Sequence, residues 1–307
     1  MKRVAVVDIG SNSTRLFIAD VSNGAVTVLD RDSIVTRLGQ GVDATGRLAD
    51  EAMDRVRATL TDYRERLDKH ATERDVAVLT SAVRDAANGD AFVEEVRTRF
   101  RLQATELPGD EEARLTFLGA TSERDPQDPT PVVVIDIGGG STEIVEGRGR
   151  AMDFHVSTQA GVVRHTERHI RSDPPKHEEL EALADDVRAV FRGAVPRSVR
   201  HAVSHAIAVA GTATSLGAID LHLDPYDPNT VHGHTLTLGR VEELLARLAQ
   251  MTLEERRNVT GLHPDRAPTI VAGCVLLVEA LRLFDLQLVE VSEHDILRGV
   301  ALSMSEN

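Results

Sequence analysis

An eleven-residue pattern occurs twice in this chain. The segment VAVVDIGSNST at Val4–Thr14 aligns without gaps with VVVIDIGGGST at Val132–Thr142, and seven of the eleven positions are identical. Each copy is an apolar run that ends in Asp-Ile-Gly and continues through a turn of small or polar residues to Ser-Thr. A shared strand-and-turn unit at the head of each half indicates a duplicated fold, in which two similar domains face each other across a cleft.

The apolar runs predict an α/β fold. Strand-like runs at Val4–Ile9, Leu16–Val21 and Val26–Val35 precede a helix that starts near Asp50, whose apolar residues recur every three or four positions. Strand-like and helix-like runs then alternate, as they do in sheets with mainly parallel strands. The length of 307 residues suits two domains, and the polar, proline-containing stretch Thr121–Pro131 is the best linker. We therefore expect domains at residues 1–124 and 125–307.

Composition limits the partners and the compartment. Asp and Glu outnumber Lys and Arg by 49 to 35, and the net charge of −14 repels nucleic acid and anionic membranes. The single cysteine, Cys274, lies in an apolar run and excludes a disulfide framework. The apolar stretch before Asp8 is too short for the core of a signal peptide. We expect a cytoplasmic globular protein that binds neither nucleic acid nor membrane and holds any anionic ligand in a locally basic or amide-rich pocket.

The turns of the repeated units are candidate anion sites. Glycine tolerates close approach and positive φ, so such turns can direct several backbone N–H groups at one phosphate. A third candidate is the turn at Gly211, which opens a predicted helix, because helix N-termini also bind phosphate. The candidate phosphate-binding residues are Ser11, Asn12, Ser13, Thr14, Arg15, Gly138, Gly139, Gly140, Ser141, Gly211 and Thr212. Ordinary turns are the alternative at each loop, and none of the loops matches a Walker or Rossmann motif.

Three carboxylates near these turns are candidate metal ligands. Asp8 and Asp136 end apolar strands, where a carboxylate is costly unless it is paired or binds a metal. Glu143 lies two residues after Ser141, so the two side chains share one face of an extended strand. Mg²⁺ between carboxylates and phosphate satisfies both constraints, and Mn²⁺ is the alternative metal. The competing interpretation is that the aspartates only cap turns.

Other polar residues allow both a functional and a structural interpretation. Glu111 and Glu112 begin a predicted helix, where only one of them can face a given site and where glutamates also favour the helix dipole. Arg84 follows a strand and precedes a helix, a position from which side chains often reach a site. The basic cluster from Arg164 to Arg171 fits a solvated helix face equally well. The His-Gly-His segment that starts at His232 lacks an evident third metal ligand.

Six segments, in this order, resemble the exopolyphosphatase/guanosine pentaphosphate phosphohydrolase (Ppx/GppA) family. They are DIGSNSTRL, TSAVRDA, GDEEARLTFLG, VIDIGGGSTE, AGTATSLGA and VHGHTLT, and they span nearly the whole chain. The resemblance implies two ribonuclease-H-like domains, as in the actin, sugar kinase and heat-shock ATPase superfamily, with an interdomain cleft. By the same precedent, a helix at about residues 295–307 packs back on the first domain.

The resemblance also implies roles for individual residues. Glu112 is expected to be the catalytic carboxylate that activates water. Arg84 is expected to be a second catalytic residue, which handles phosphate together with Ser11–Arg15 and Gly138–Ser141. The implied members of the magnesium site are Asp8, Asp136 and Glu143.

The expected activity is hydrolysis of terminal phosphate from inorganic polyphosphate, because a loose phosphoryl transition state needs charge neutralisation and a base that orients water. Guanosine pentaphosphate is the alternative substrate, and other nucleotides also stay open. A kinase or ATP-driven switch is disfavoured by a glutamate that activates water. A non-catalytic sensor of polyphosphate or nucleotides is disfavoured by the intact carboxylates and loops.

Two departures from the family pattern affect the expected preference for short or long polyphosphate. Longer family members continue into a helical domain that resembles HD phosphohydrolases, whereas this sequence stops at Asn307, and SEHDILRGVAL replaces a glycine-containing segment. With a net charge of −14 and few clustered basic residues, we expect short polyphosphates to be favoured and long ones to be shortened distributively. A homodimer is left open, because a second subunit can complete a longer basic channel.

Overall fold

The structure of the chain is a computed structural model that describes residues 1–304. It divides into two compact units, residues 1–119 together with the helix that begins at Ile296, and residues 120–295. The boundary expected at residues 124 and 125 lies slightly further along the chain and stays a prediction. Among the described residues, none of the helices combines the length and the apolar character needed to cross a bilayer.

The first unit is built on one mixed sheet. Its strands are β1 (Lys2–Ile9), β2 (Thr14–Ser22), β3 (Ala25–Ile34), β4 (Arg74–Leu79) and β5 (Gln103–Glu106). Its helices up to residue 120 are α1 (Val42–Thr45), α2 (Asp50–His70), α3 (Ser81–Arg84), α4 (Gly89–Phe100) and α5 (Gly109–Ala120). The strand order within the described chain is β3-β2-β1-β4-β5, with β1 antiparallel to β2 and parallel to β4.

Strand β1 is buried on both faces, which explains why its sequence is a nearly continuous apolar run. Val7 and Ile9 pack on one face with the apolar stripe of α2, which contains Met53 and Leu60 as the spacing predicts. Val6 packs on the opposite face with apolar residues of α5 and of the helix that begins at Ile296. The aspartate that follows this run is therefore carried to the end of a strand enclosed between two layers of helices.

The second unit repeats this design with one additional strand. Its strands are β6 (Val132–Ile137), β7 (Thr142–Arg148), β8 (Ala151–Thr158), β9 (His205–Val209), β10 (Thr235–Thr237) and β11 (Leu288–Val291). Its helices are α6 (Val162–His169), α7 (His177–Ala194), α8 (Arg197–Arg200), α9 (Ala210–Asp220), α10 (Pro228–Val231), α11 (Leu238–Ala249), α12 (Leu253–Arg257) and α13 (Ile270–Leu283), with a 3₁₀ turn at Pro264–Arg266.

The two sheets have equivalent topology. Over the described residues the second sheet has the order β10-β11-β9-β6-β7-β8. β6 is antiparallel to β7 and parallel to β9, as β1 is to β2 and β4. The predicted fold class, two α/β domains of ribonuclease-H-like type, is thereby confirmed. Cys274 lies fully buried in α13, and burial raises the pKa of its thiol to about 12, so this cysteine is unreactive.

The last helix belongs to the first unit. Helix α14 (Ile296–Ser303) packs against β1 and β2. At Gly299 an added Cβ would lie 1.8 Å from the carbonyl oxygen of Leu115, so α14 approaches α5 backbone to backbone and only glycine fits there. Residues 305–307 of the expected helix at about 295–307 lie outside the described residues.

Candidate active site

The turns that follow β1 and β6 have the same backbone geometry. The N–H group of Gly10 donates to the carbonyl oxygen of Ser13, and that of Gly138 donates to the carbonyl oxygen of Ser141, each at 2.9 Å. An added Cβ at either glycine would lie 3.1 Å from that same oxygen. The sequence repeat is therefore also a structural repeat, down to one hydrogen bond in each turn.

The first turn is held by the segment that follows β3 and by α3. The carbonyl oxygens of Ser11 and Asn12 accept hydrogen bonds from the N–H groups of Gly39 and Arg37, at 2.7 and 2.8 Å. The hydroxyl of Ser11 accepts a bond from the N–H group of Ala82 at 3.1 Å. The side-chain oxygen of Asn12 is buried and has no hydrogen-bond partner among the described residues. A ligand or a water molecule can satisfy such an oxygen, so Asn12 fits a binding turn.

Thr14 is the predicted phosphate-binding residue that the contacts favour least. Its side chain is fully buried, and its hydroxyl lies 3.0 Å from the hydroxyl of Thr36. Its carbonyl oxygen accepts a hydrogen bond from the hydroxyl of Tyr63 at 3.0 Å. Thr14 therefore joins β2 to its neighbours, and its contact with phosphate stays a prediction.

The second turn rests on the start of α6. The carbonyl oxygens of Gly138 and Gly139 accept hydrogen bonds from Val162 and Val163, the first two residues of that helix, at 3.0 and 2.8 Å. The Nε of Arg164 donates to the carbonyl oxygen of Gly140 at 2.9 Å. The basic cluster is thus not merely a solvated helix face, because its first member contacts the turn.

Gly161 makes this support possible. An added Cβ at this residue would lie 2.4 Å from both the carbonyl oxygen of Gly139 and the carbonyl carbon of Gly140, so a side chain would push the turn away from α6. The first turn has an equivalent close approach at Gly39, where an added Cβ would lie 2.8 Å from the Cβ of Ser11. In each unit, a glycine further along the chain, Gly39 or Gly161, thus allows another segment to pack directly against the turn.

Two buried carboxylates stand opposite each other beside the second turn. Asp136 on β6 and Glu143 on β7 are register partners, and their exposed fractions are 7% and 1%. Side chains at such positions have Cβ atoms roughly 4.5–5.5 Å apart on the same face of the sheet. The hydroxyl of Ser157 donates to Oε1 of Glu143 at 2.7 Å, which orients that carboxylate.

The donor set of this pair suits a hard divalent cation. Mg²⁺ binds one or two protein carboxylates together with phosphate oxygens. Two carboxylates on one face of neighbouring strands can bind the same cation. Asp136 and Glu143 therefore fit the expected ion, although their role as its ligands stays a prediction.

The equivalent position in the first unit is occupied differently. Asp8 on β1 is the register partner of Arg15 on β2. The Nε and Nη2 of Arg15 donate to Oδ2 of Asp8 at 2.8 and 2.6 Å. The charge of Asp8 is thus balanced within the hairpin. Its role as a metal ligand and the contact of Arg15 with phosphate both stay predictions, and this ion pair favours a positioning role for Asp8.

The structure separates the two adjacent glutamates of α5. Glu112 is 7% exposed, and its Oε2 accepts a hydrogen bond from Nη1 of Arg84 at 3.1 Å. The same nitrogen of Arg84 also donates to the carbonyl oxygen of Leu107 at 2.7 Å. Glu111 points to Arg114 at the surface, and hydrogen bonding to that guanidinium lowers the pKa of Glu111. The two residues predicted to be catalytic are thus in direct contact, whereas Glu111 is a surface group.

The third candidate turn has a strained backbone and an additional cation. Helix α9 begins at Ala210, whose φ of 65° is unfavourable for a residue with a Cβ. Gly211 lies directly against Arg266, because an added Cβ would be 1.5 Å from Nη1 of that arginine. Thr212 is buried and packs on Gly273 of α13. Sequence reasoning identified the turn but not Arg266, which is distant in sequence and is brought there by the 3₁₀ turn.

The His-Gly-His segment has partners that the sequence did not reveal. The rings of His232 and His294 lie 4.1 Å apart, and Oε2 of Glu123 is 3.8 Å from one nitrogen of each ring. His234 instead pairs with Asp220 at 2.7 Å. The two histidines of the segment therefore do not share one ligand, and the neighbours of His232, which are not evident from the sequence, are Glu123 and His294.

The chain is similar to known proteins over its whole length. Exopolyphosphatase 2 of Mycobacterium tuberculosis (strain ATCC 25618 / H37Rv) is 38% identical over an aligned length of 318 residues, and the alignment covers 99% of each chain. A solved Ppx/GppA family member from Aquifex aeolicus matches with a TM-score of 0.82 at 31% identity, over 100% of this chain and 99% of its own. A solved exopolyphosphatase from Cytophaga hutchinsonii ATCC 33406 matches with a TM-score of 0.89 at 26% identity, over 99% of this chain and 98% of its own. Because the sequence profile of the Ppx/GppA phosphatase family also matches residues 17–307, the chain belongs to that family.

Proposed function

We propose that this protein is an exopolyphosphatase, which uses Mg²⁺ to hydrolyse the terminal phosphate of inorganic polyphosphate. Membership of a phosphatase family supports phosphate hydrolysis, and the similarity to Exopolyphosphatase 2 supports polyphosphate as the substrate. The observation that carries the proposal is the pair of buried carboxylates at the register partners Asp136 and Glu143, beside a glycine turn. This combination suits a metal ion that is shared between protein and phosphate.

The proposed metal ligands are Asp136 and Glu143, and Ser157 orients the second of them. When bound, Mg²⁺ supplies positive charge that neutralises the oxygens of the transferred phosphoryl group. Mn²⁺, which also prefers oxygen ligands, is the alternative ion. Asp8 is a metal ligand by the resemblance alone, and its bonds to Arg15 favour a positioning role instead, so it is the residue that most needs testing.

Glu112 is the proposed base. Its carboxylate is buried and oriented by Arg84, so it can accept a proton from a water molecule in a fixed position. Both hydrogen bonds of Arg84 to the described residues use Nη1, which leaves Nε and Nη2 to donate to a phosphate oxygen. Arg84 would then stabilise charge on the phosphoryl group and hold the base with one guanidinium.

The turns supply the remaining phosphate contacts in this proposal. Their carbonyl groups are held by later segments of the chain, which fixes the turns without a ligand. Such preorganised donors cost little to reorganise during the reaction. The proposed contacts are Ser11, Asn12, Ser13, Thr14, Arg15, Gly138, Gly139, Gly140, Ser141, Gly211 and Thr212, with Arg266 as an additional cation beside Gly211.

The proposed enzyme hydrolyses short polyphosphates in preference to long ones. The net charge of −14 repels a long polyanion, and the cations named near the turns are sufficient for only a few phosphates. Hydrolysis would then be distributive, so a population of long chains would shorten gradually. Processive action would require further basic groups, which a homodimer could supply.

The direct test is phosphate release from short polyphosphate, long polyphosphate and guanosine pentaphosphate at equal concentration, with and without Mg²⁺. The proposal expects magnesium-dependent release that is fastest from short polyphosphate. Faster release from guanosine pentaphosphate would overturn the assigned substrate in favour of the alternative. Binding of polyphosphate without release would instead indicate a sensor, and untouched long chains beside free phosphate would contradict distributive action.

A further inference from the structure

Two histidines and an aspartate form a compact cluster on helices α6 and α7 of the second unit. His165 and His169 lie four residues apart on α6, so they share one face of that helix. Asp186 on α7 faces both, with its Oδ2 3.5 Å from Nε2 of His165 and 2.9 Å from Nε2 of His169. One ligand atom from each residue lies within 4.8 Å of the other two.

His165 carries a buried nitrogen that the protein leaves without a hydrogen bond. The residue is fully buried, and its Nε2 has no hydrogen-bond partner among residues 1–304. Its Nδ1 faces Gly161, whose N–H group lies 3.3 Å away and whose carbonyl oxygen lies 3.2 Å away, so Nδ1 contacts that residue in either tautomer. With the proton on Nδ1, the lone pair of Nε2 faces the carboxylate of Asp186, and a cation between them would be bound by both groups.

We propose that His165, His169 and Asp186 bind one transition-metal ion of the Zn²⁺ class. Imidazole nitrogens select such ions over Mg²⁺, which prefers oxygen ligands. At a tetrahedral ion with bonds of about 2.0–2.2 Å, ligand atoms are separated by roughly 3.3–3.6 Å. The distances from Asp186 to the two nitrogens lie close to this range, so small side-chain rotations complete the set.

The surroundings of the cluster agree with an ion that enters from solvent. His169 and Asp186 are partly exposed, which leaves a coordination position for water. Oδ2 of Asp186, the oxygen that faces both rings, also has a neighbouring cation. Nη1 of Arg168 lies 3.8 Å from the same carboxylate oxygen, and this long contact is the one that the ion would displace.

The bound ion would join α6 to α7 directly behind the second glycine turn. The start of α6 holds the carbonyl groups of Gly138 and Gly139, and His165 contacts Gly161 at the beginning of the same helix. An ion that binds only the folded protein stabilises it by mass action. The ion would therefore have a structural role, which is to link α6 to α7. Its site is separate from the magnesium site proposed above.

The test uses the full chain without a histidine tag, stripped with a chelator and supplied with Zn²⁺ in the presence of excess Mg²⁺. We expect one equivalent of zinc to remain after desalting, as measured by elemental analysis, and the thermal midpoint to rise. The variants His169→Asn and Asp186→Asn should each lose the retained zinc and the rise in midpoint. His177→Asn is the matched control, because His177 is an exposed histidine at the start of α7 outside the cluster.

Circular dichroism and the midpoint of each metal-free variant establish that the variants are folded. Co²⁺ provides an independent readout, since its visible absorption reports tetrahedral coordination and should disappear in His169→Asn. No retained zinc in the wild-type chain would overturn the proposal. Equal retention by His169→Asn would also overturn it and would direct attention to Glu123, His232 and His294, which form the other histidine cluster among the described residues. Neither result depends on which phosphate substrate the protein hydrolyses.

Discussion

The hairpins β1–β2 and β6–β7 share a backbone but differ at one pair of facing side chains. In the first, Asp8 faces Arg15, and in the second, Asp136 faces Glu143, with the same register and the same bond within the turn. The first pair joins an acid to a base, whereas the second places two acids opposite each other. In the proposed assignment, this exchange between arginine and glutamate at an equivalent position distinguishes the cation site of the second hairpin from the first hairpin.

The same contrast extends to the catalytic candidates. In the first unit the buried acids contact arginines, since Glu112 is bonded to Arg84 as Asp8 is bonded to Arg15. Such contacts orient a carboxylate, which suits a base or a positioning residue. In the second unit an acid faces an acid, which suits a metal. We therefore expect first-unit variants to change turnover and second-unit variants to change the magnesium requirement.

The largest expected effect is that of Glu112→Gln on turnover. Loss of a general base typically costs about 10²–10⁴ in rate, while the amide keeps the size of the side chain and its bond to Arg84. Initial rates at saturating Mg²⁺ measure the loss. Glu111→Gln is the matched control on the same helix, and it should retain nearly full activity because Glu111 pairs with Arg114 at the surface. If the two variants were equally impaired, Glu112 would not be the base.

Asp136→Asn and Glu143→Gln should raise the Mg²⁺ concentration for half-maximal activity. Changes outside the ligand shell of a metal typically cost about 10–100-fold in affinity, so loss of a direct ligand should cost at least as much. Glu146→Gln is the matched control, since Glu146 is another buried glutamate of β7 but points to the opposite face of the strand. Unchanged titrations for both Asp136→Asn and Glu143→Gln would remove this pair from the metal site.

Ser157→Ala should produce a smaller shift in the same direction. The hydroxyl of Ser157 donates to Glu143, so its loss leaves the ligand in place but less firmly oriented. We expect an increase in the Mg²⁺ requirement of up to about tenfold, with turnover at saturating Mg²⁺ largely kept. A fall in turnover that excess Mg²⁺ does not restore would show that Ser157 acts on something other than the metal ligand.

The smallest expected effect concerns stability. Glu146 has a buried oxygen without a hydrogen bond among the described residues, and burial raises the pKa of this carboxyl above its usual value. The native state then binds the proton more tightly than the unfolded state, so this group lowers stability as pH rises from about 4.5 through the native pKa. Glu146→Gln should therefore raise the thermal midpoint slightly at pH 8, and the gain should disappear near pH 4. A midpoint difference that does not change with pH would contradict this cause.

Much of the scaffold could be predicted from the sequence because its signals are local. The repeat at Asp8 and Asp136 indicated two equivalent sheets, and the apolar spacing located α2 with its start at Asp50. The turn glycines could be identified because Asp-Ile-Gly followed by small residues occurs in both halves, and glycine tolerates the close approach that such a turn requires. The pairing of Asp8 with Arg15 could also be predicted from the sequence, since a hairpin that joins Ile9 to Thr14 puts these two residues opposite each other.

The rest depends on contacts between segments far apart in the chain. Ser157 reaches Glu143 only after β8 is paired with β7, and Arg266 reaches Gly211 across many intervening elements. The spacing of His165 and His169 alone fits a solvated helix face. Asp186, the third member of their cluster, lies on the next helix, so the spacing gave no sign of it. No local pattern specifies such partners, so sequence reasoning could propose the acids and the turns but not what holds them.

The central claim is that the facing carboxylates of β6–β7, and not the balanced pair of β1–β2, hold the divalent ion. Electron paramagnetic resonance of Mn²⁺ measures this directly, because free and bound Mn²⁺ differ in signal and no substrate is needed. The account predicts that Glu143→Gln binds Mn²⁺ at least about tenfold more weakly than the wild-type chain, whereas Asp8→Asn binds it with nearly wild-type affinity. Equal loss of affinity in Asp8→Asn, or wild-type affinity in Glu143→Gln, would contradict it.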